Sequence, residues 1–71
     1  MTLFDCELGK EYTVASVGTG DEELEQCLFS LGCYRGEPVT VISRRKSSCV
    51  IAVKDGRYSI DRALASAIGV E

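Results

Sequence analysis

The sequence predicts a mainly β domain, a small antiparallel barrel with one α-helix and a short helical turn near the C-terminus. Three β-rich segments follow one another between Val39 and Ile60 and are joined by short polar turns, as in consecutive antiparallel strands. A separate segment, Asp21–Leu31, has the apolar spacing of a helix. The 71 residues favour a single domain over 1–71, and closing the sheet would protect its strand edges.

The first strand is predicted over Tyr12–Val17, a run of β-branched and aromatic residues that starts after a Gly9-Lys10 turn and stops at Gly18. The residues before Gly9 carry no clear element pattern. The strand therefore precedes the helix and opens the sheet.

The helix is predicted over about Asp21–Leu31, because Leu24, Cys27, Leu28 and Leu31 repeat at helical spacing on one face. Phe29 lies one position off this stripe and is expected to pack. Either Thr19, in a capping box with Glu22, or Asp21 is expected to cap the first turn. Gly32 is expected to end the helix in the left-handed conformation.

Three strands are then predicted, followed by a short helix that Asp61 caps. Gly69 is expected to end that helix, and Val70 to add a last strand residue. Residues 50–53 are apolar on both faces of their strand, so we expect the Leu24–Leu31 helix to cover the outer face. The predicted segments are Val39–Ser43, Ser48–Val53 and Arg57–Ile60, with a polar loop over 44–47 and an Asp55-Gly56 turn.

The composition excludes several functions. The net charge of −3 makes the chain a poor general binder of nucleic acid or anionic membranes. The absence of histidine excludes Ser-His and Cys-His catalysis, so no catalytic residues are predicted and the chain is not expected to be an enzyme. No signal peptide or membrane-spanning segment is recognisable, which predicts a cytoplasmic protein without membrane insertion.

The cysteines are Cys6, Cys27, Cys33 and Cys49, and no two of them form a Cys-x-x-Cys motif. We expect reduced thiols that behave as small apolar side chains, with Cys33 exposed. A thiol-based metal or redox function remains an alternative. The acidic residues that open the helix are interpreted as complementing the helix dipole rather than as a cation site. No cofactor and no metal site are predicted.

Two surface segments are candidates for contact with a partner. Tyr34 and Arg35 follow the helix, and both residue types are common at binding hot spots, although Tyr34 would equally serve to cover the end of the barrel. Arg44, Arg45 and Lys46 form the one basic run, which Arg35, Arg57 and Arg62 could extend into a patch. A solvated hairpin, an acidic protein partner and RNA are the alternatives for this run, in falling order.

The order of these elements resembles the FeoA family of bacterial ferrous iron transport. The resemblance rests on a strand, a leucine helix and the turn Leu31-Gly32-Cys33-Tyr34-Arg35-Gly36, followed by a valine-rich strand. It continues through a C-terminal pattern made by Val53, Gly56, Tyr58, Ile60, Arg62, Ala65, Ile68 and Val70. The sequence departs from the family where Cys27 and Cys33 stand in the helix and loop and where Arg35 replaces a common proline.

The resemblance implies an SH3-like barrel and an accessory role in which the chain acts on the cytosolic, G-protein-like part of the FeoB transporter. Iron would then be handled by the transporter. Cys33, Tyr34 and Arg35, together with Arg44, Arg45 and Lys46, are the candidate contacts. Self-association, an RNA-binding barrel, and a relation to the C-terminal barrel of iron-dependent repressors are the remaining alternatives.

Overall fold

A computed structural model describes residues 1–18, 20–54 and 56–71. It contains five strands, two helices and an N-terminal 3₁₀ turn, Leu3–Asp5. The strands are β1 (Glu11–Val17), β2 (Pro38–Arg44), β3 (Ser48–Val53), β4 (Gly56–Asp61) and β5 (Ile68–Val70); the helices are α1 (Glu22–Leu31) and α2 (Arg62–Ser66). Each predicted strand and helix is present, with ends shifted by a residue or two.

The strands form one antiparallel sheet in the order β4-β3-β2-β1-β5. In the described residues β4 and β5 do not pair, so the expected closure of the barrel is wrong. The N-terminal 3₁₀ turn and α2 pack against each other beside β3, β4 and β5. The outer edge of β5 is covered by the chain start, where Val70 N donates to Met1 O at 3.0 Å. Helical turns and the N-terminus therefore replace the strand pairing that would close the barrel.

The core lies on one face of the sheet and beneath the N-terminal turn. Alternate residues of β3 are buried, as the strand period requires: Cys49, Ile51 and Val53. Leu3 and Cys6 are also fully buried, although the first ten residues gave no element signal in the sequence. Because α2 is the helix that packs against β3 and β4, the expectation that the Leu24–Leu31 helix covers the sheet is wrong.

The two ends of α1 agree with the sequence. The Asp21 carboxylate caps the first turn by accepting from Glu23 N and Leu24 N, and Gly32 ends the helix at φ 95°. The alternative cap Thr19, and the predicted Asp55-Gly56 turn, involve residues outside the described ranges.

The sequence predicted the start of α2 correctly but not its end. Asp61 caps this helix through a 2.7 Å bond from Leu64 N. The helix ends at Ser66, however, and Gly69 lies inside β5 instead of ending α2.

The apolar stripe of α1 faces the core less than its spacing predicts. Leu28 is the one buried residue of the helix, and Leu24 and Cys27 are exposed. Phe29, which was expected to pack, is 64% exposed. The helix therefore lies at the edge of the domain and presents much of its apolar surface to solvent.

Candidate functional site

The chain reverses sharply after α1, and this reversal shapes the first candidate surface. Gly32 N bonds to the carbonyls of Leu28 and Phe29, and Cys33 N donates to Leu28 O at 2.9 Å. A side chain at Gly32 would be strained at its positive φ and would lie 2.8 Å from the Lys54 side chain. Glycine thus permits both the turn and the close passage of Lys54.

Lys54 connects the loop after α1 to the end of β3. Its ammonium lies 3.3 Å from a Glu37 carboxylate oxygen and 5.4 Å from the centre of the Tyr34 ring. Interactions with Tyr34, and then with Glu37, raise the pKa of Lys54. Tyr34 also packs on Phe29, with ring centres 4.7 Å apart and planes tilted by 32°. Tyr34 is therefore held between the helix and the sheet and is half-buried.

An open groove of about 430 Å³ lies between the second half of β1 and the end of α1. We call it the helix-end groove; its walls are mostly apolar, with two charged members, and include Ala15, Val17, Phe29, Tyr34, Glu25 and Arg35. Arg35 is exposed, and Phe29 presents its ring at the surface. The structure thus brings the predicted contacts Tyr34 and Arg35 together with Phe29, which was assigned to the interior.

Cys33 is placed differently from the expectation. Its side chain is fully buried, so the prediction of an exposed thiol is wrong. The loop after α1 turns inward at this position. Gly32 ends the helix, and the next backbone amide, Cys33 N, still donates to Leu28 O in the last turn. Burial raises the pKa of Cys33 to about 11, which keeps the thiol protonated at neutral pH. Cys33 therefore lines the helix-end groove as a buried side chain.

Of the other three thiols, two are buried and one is exposed. Cys6 and Cys49 are buried, and burial raises the pKa of each, whereas Cys27 is exposed on α1. Within residues 1–18, 20–54 and 56–71, no three cysteine, aspartate or glutamate side chains are grouped to hold a metal ion. A thiol-based metal site therefore has no support in the described part of the chain.

The second candidate surface lies at the turn between β2 and β3. We call Arg44, Arg45, Lys46 and Arg62 the hairpin basic cluster; all four are exposed. Arg62 lies beside the predicted basic run in the fold, because its backbone N donates to Ser47 O at 2.9 Å. Arg35 precedes β2 and Arg44 ends it, so the two surfaces are separated by a seven-residue strand, roughly 20 Å at the usual rise per residue.

An aromatic ring that the sequence did not associate with the basic run lies inside this cluster. The guanidinium carbons of Arg44 and Arg62 lie 5.9 and 5.2 Å from the centre of the Phe4 ring. Arg44 Nη1 also donates to the carbonyls of Phe4 and Cys6, at 3.0 and 2.7 Å. Phe4 is forty residues away from Arg44 in the chain, so no local pattern could have indicated this contact.

The fold defines the class of the protein: a small SH3-like β-domain in which helix α1 is inserted between the first two strands. The FeoA domain model matches residues 1–71, and the chain therefore belongs to the FeoA family of ferrous iron transport. No curated protein matches the chain.

Solved structures share this fold. The Stenotrophomonas maltophilia FeoA complexed with zinc has a TM-score of 0.87 and 22% identity, over 100% of this chain and 89% of its own. The FeoA protein from Chlorobium tepidum has a TM-score of 0.88 and 22% identity, over 99% of this chain and 68% of its own. A manganese-dependent transcriptional repressor has a TM-score of 0.88 and 24% identity over 99% of this chain.

The chain spans 40% of the length of that repressor and 35% of a second, manganese-bound repressor structure. This fold is therefore found both in FeoA proteins and as one part of longer proteins. Neither helix of the described residues is long and apolar enough to cross a membrane.

Proposed function

We propose that this protein is a cytoplasmic, non-enzymatic accessory protein of ferrous iron uptake, and that it acts by binding the G-protein-like cytosolic part of the FeoB transporter. Family membership supports the link to ferrous iron transport. The observation that carries the binding role is the exposed Phe29 ring, stacked on Tyr34 at the mouth of an open apolar groove. Tyrosine and arginine are enriched at binding hot spots, and aromatic residues including phenylalanine are enriched in interfaces.

The helix-end groove is suited to a protein contact because its parts are ordered before a partner arrives. Tyr34 is held by Phe29 and by Lys54, which is in turn paired with Glu37. Arg35 is exposed, and within residues 1–18, 20–54 and 56–71 it forms no ion pair. A partner that inserts an apolar side chain beside Phe29 and places a carboxylate near Arg35 would use both features at little cost in ordering.

The proposal is tested by titrating the labelled protein with the soluble cytosolic part of FeoB from the same cell, in reductant, with and without guanine nucleotide. Amide NMR shifts are expected at Phe29, Tyr34, Arg35 and the neighbouring residues of β1. An unchanged spectrum at a high partner concentration would exclude direct binding to that part of the transporter.

A matched pair of variants locates the contact. Phe29→Ser should weaken binding by roughly tenfold or more, since truncating a hot-spot aromatic commonly costs more than 1 kcal/mol. Leu8→Ser removes a comparably exposed apolar side chain from the loop before β1 and should leave the affinity within about twofold. Equal losses in the two variants would show that the groove is not the contact surface.

A further inference from the structure

Half of the positive charge of the chain is gathered at one end of the sheet. The hairpin basic cluster holds four of the eight lysine and arginine residues, in a chain whose net charge is −3. The β2–β3 turn supplies Arg44, Arg45 and Lys46. The bond from Arg62 N to Ser47 O fixes the start of α2 against the same turn. This concentration of charge therefore follows from the fold as well as from the basic run.

Two of the four cations are positioned by contacts other than ion pairs. Arg44 is held by the carbonyls of Phe4 and Cys6, and both Arg44 and Arg62 lie over Phe4. Carbonyl and ring contacts orient a guanidinium without neutralising its charge. An arginine has five donors, so Arg44 keeps unused donors after its bonds to the two carbonyls.

In the described residues no carboxylate forms an ion pair with the cluster. The one ion pair there joins Lys54 and Glu37. Two carboxylates that adjoin the elements of the cluster are engaged in local structure. Asp5 accepts from the Thr2 hydroxyl at 2.8 Å, and this bond is the main reason that the pKa of Asp5 is lowered. Asp61 caps α2 through Leu64 N. Among the described residues the four exposed cations form no ion pair, and the charge of Arg44 acts on Asp5 only as a minor contribution to its lowered pKa.

These features favour one kind of anion. Two guanidinium groups lie 5.9 and 5.2 Å from the centre of the Phe4 ring and compete with a nucleic-acid base for contact with it. The carboxylate of Asp5 lies close enough to Arg44 for their charges to interact, and Asp61 adjoins Arg62 in the chain, so both carboxylates would oppose the phosphates of a flat anionic membrane docked on the cluster. A flexible peptide can direct its carboxylates to the arginines in bidentate geometry and avoid both acidic residues.

We propose that the hairpin basic cluster is a second docking surface, which binds a carboxylate-rich segment of a partner protein. Its chemistry differs from that of the helix-end groove, which is largely apolar. The two surfaces are separated by the length of β2, so one partner with two contact regions, or two different partners, could occupy them together. This inference stands whether or not the proposed contact with FeoB is confirmed.

The test uses the full chain, labelled for amide NMR, and an octaglutamate peptide as the probe. Shifts are expected at the four basic residues and at Phe4, and the affinity should fall several-fold when ionic strength is raised from about 0.01 M to about 0.15 M, because screening shortens the reach of exposed charges. The double variant Arg45→Glu, Lys46→Glu should lose roughly tenfold or more in affinity. The control Lys10→Glu, Arg57→Glu has the same change in net charge and should lose much less.

Each contrary outcome overturns the proposal. Absence of shifts at low salt would show that the cluster does not bind carboxylates, and equal losses in the two double variants would show that only net charge matters. Tighter binding of an RNA octamer, or of vesicles containing phosphatidylserine, would replace the acidic segment with another anion. Phe29→Ser should leave peptide binding unchanged, which separates this test from that of the groove.

Discussion

Strand β3 and helix α1 are both rich in apolar residues, yet they relate to the core in opposite ways. Every second side chain of β3 is buried, including Ile51 at the centre of the sheet. Helix α1 is longer but buries only Leu28, and it leaves Leu24 and Phe29 exposed. The sheet therefore carries the stability of the domain, whereas the helix is held by one buried side chain, two caps and the loop that follows it.

The comparison shows that an apolar stripe does not by itself reveal what covers it. In a strand paired on both sides, the alternate face has a fixed neighbour across the sheet. A peripheral helix has no such constraint, and its stripe is equally compatible with a core contact or with a binding surface. The exposed part of the α1 stripe is what the proposed function uses.

The largest expected effect is that of Ile51→Ala in the sheet. The substitution removes a fully buried side chain with strand neighbours on both sides, and it should cost about 4 kcal/mol. That is a large share of the total stability of a domain of this size, roughly 4–11 kcal/mol. Urea unfolding followed by circular dichroism measures the loss. Val50→Ala, at a half-buried position of the same strand, should cost much less.

Leu28→Ala tests how α1 is attached, and we expect it to cost about 3 kcal/mol. Because Leu28 is the one buried residue of the helix, the loss should appear first as local release of α1. Hydrogen exchange should accelerate in residues 22–31 while the amides of β3 remain protected. Simultaneous loss of protection in β3 would show that the helix and the sheet unfold as one unit.

Alkaline pH should weaken the contact between the helix end and the core. Burial raises the pKa of Cys33 to about 11, so the folded state holds the thiol proton more tightly than the unfolded state does. The stabilisation is complete below the ordinary thiol pKa near 9 and is lost as the pH rises towards 11, by roughly 2 kcal/mol. Unfolding free energies at pH 7, 9 and 11 measure this loss.

The matched variant for the alkaline effect is Cys33→Ala, which should make the decline with pH shallower. Cys6 and Cys49 are also buried with raised pKa values, so part of the decline should remain. Exposed Cys27 provides an independent check, because it should react with a thiol reagent well before the three buried cysteines. An unchanged pH dependence in Cys33→Ala would contradict the assignment.

The smallest expected effect is that of Phe29→Ser on stability. The ring is 64% exposed, and its main contact is with Tyr34, so the free energy of unfolding should change by only about 0.5 kcal/mol. The same variant is expected to have a large effect on partner binding. A loss of stability similar to that of Leu28→Ala would mean that Phe29 belongs to the core after all.

Local signals in the sequence were sufficient for most of the fold. The caps at Asp21 and Asp61, the left-handed Gly32 and the bounds of β3 were all recognisable from neighbouring residues. Two failed expectations, the closure of the barrel and the covering of the sheet by α1, depended on contacts between distant segments. The barrel does not close because the N-terminus and α2 occupy the outer side of β5 and its surroundings, and no local pattern in residues 1–10 indicated that role.

In the candidate site, too, the features set by residue type were predicted, whereas those set by the fold were not. Tyr34, Arg35 and the basic run were selected from residue type and position in the chain, and they lie at the surface. The burial of Cys33 and the exposure of Phe29 depend on how the chain turns after Gly32, which a one-dimensional stripe does not encode. The sequence did not associate Phe4 with the basic run. The association is visible only in the fold, through the contacts of Phe4 with Arg44 and Arg62.

The chain leaves β1 and returns to β2 through a narrow neck. Val14 N donates to Glu37 O at 2.9 Å and Val14 O accepts from Gly36 N at 2.8 Å, so the loop after α1 is bonded to β1 three residues before that strand ends at Val17. The entropy of closing a longer or shorter insertion at such a neck changes only slowly with its length. A change in the length of α1 or of its loop should therefore disturb the domain less than a change in β1 or β2, which pair with each other.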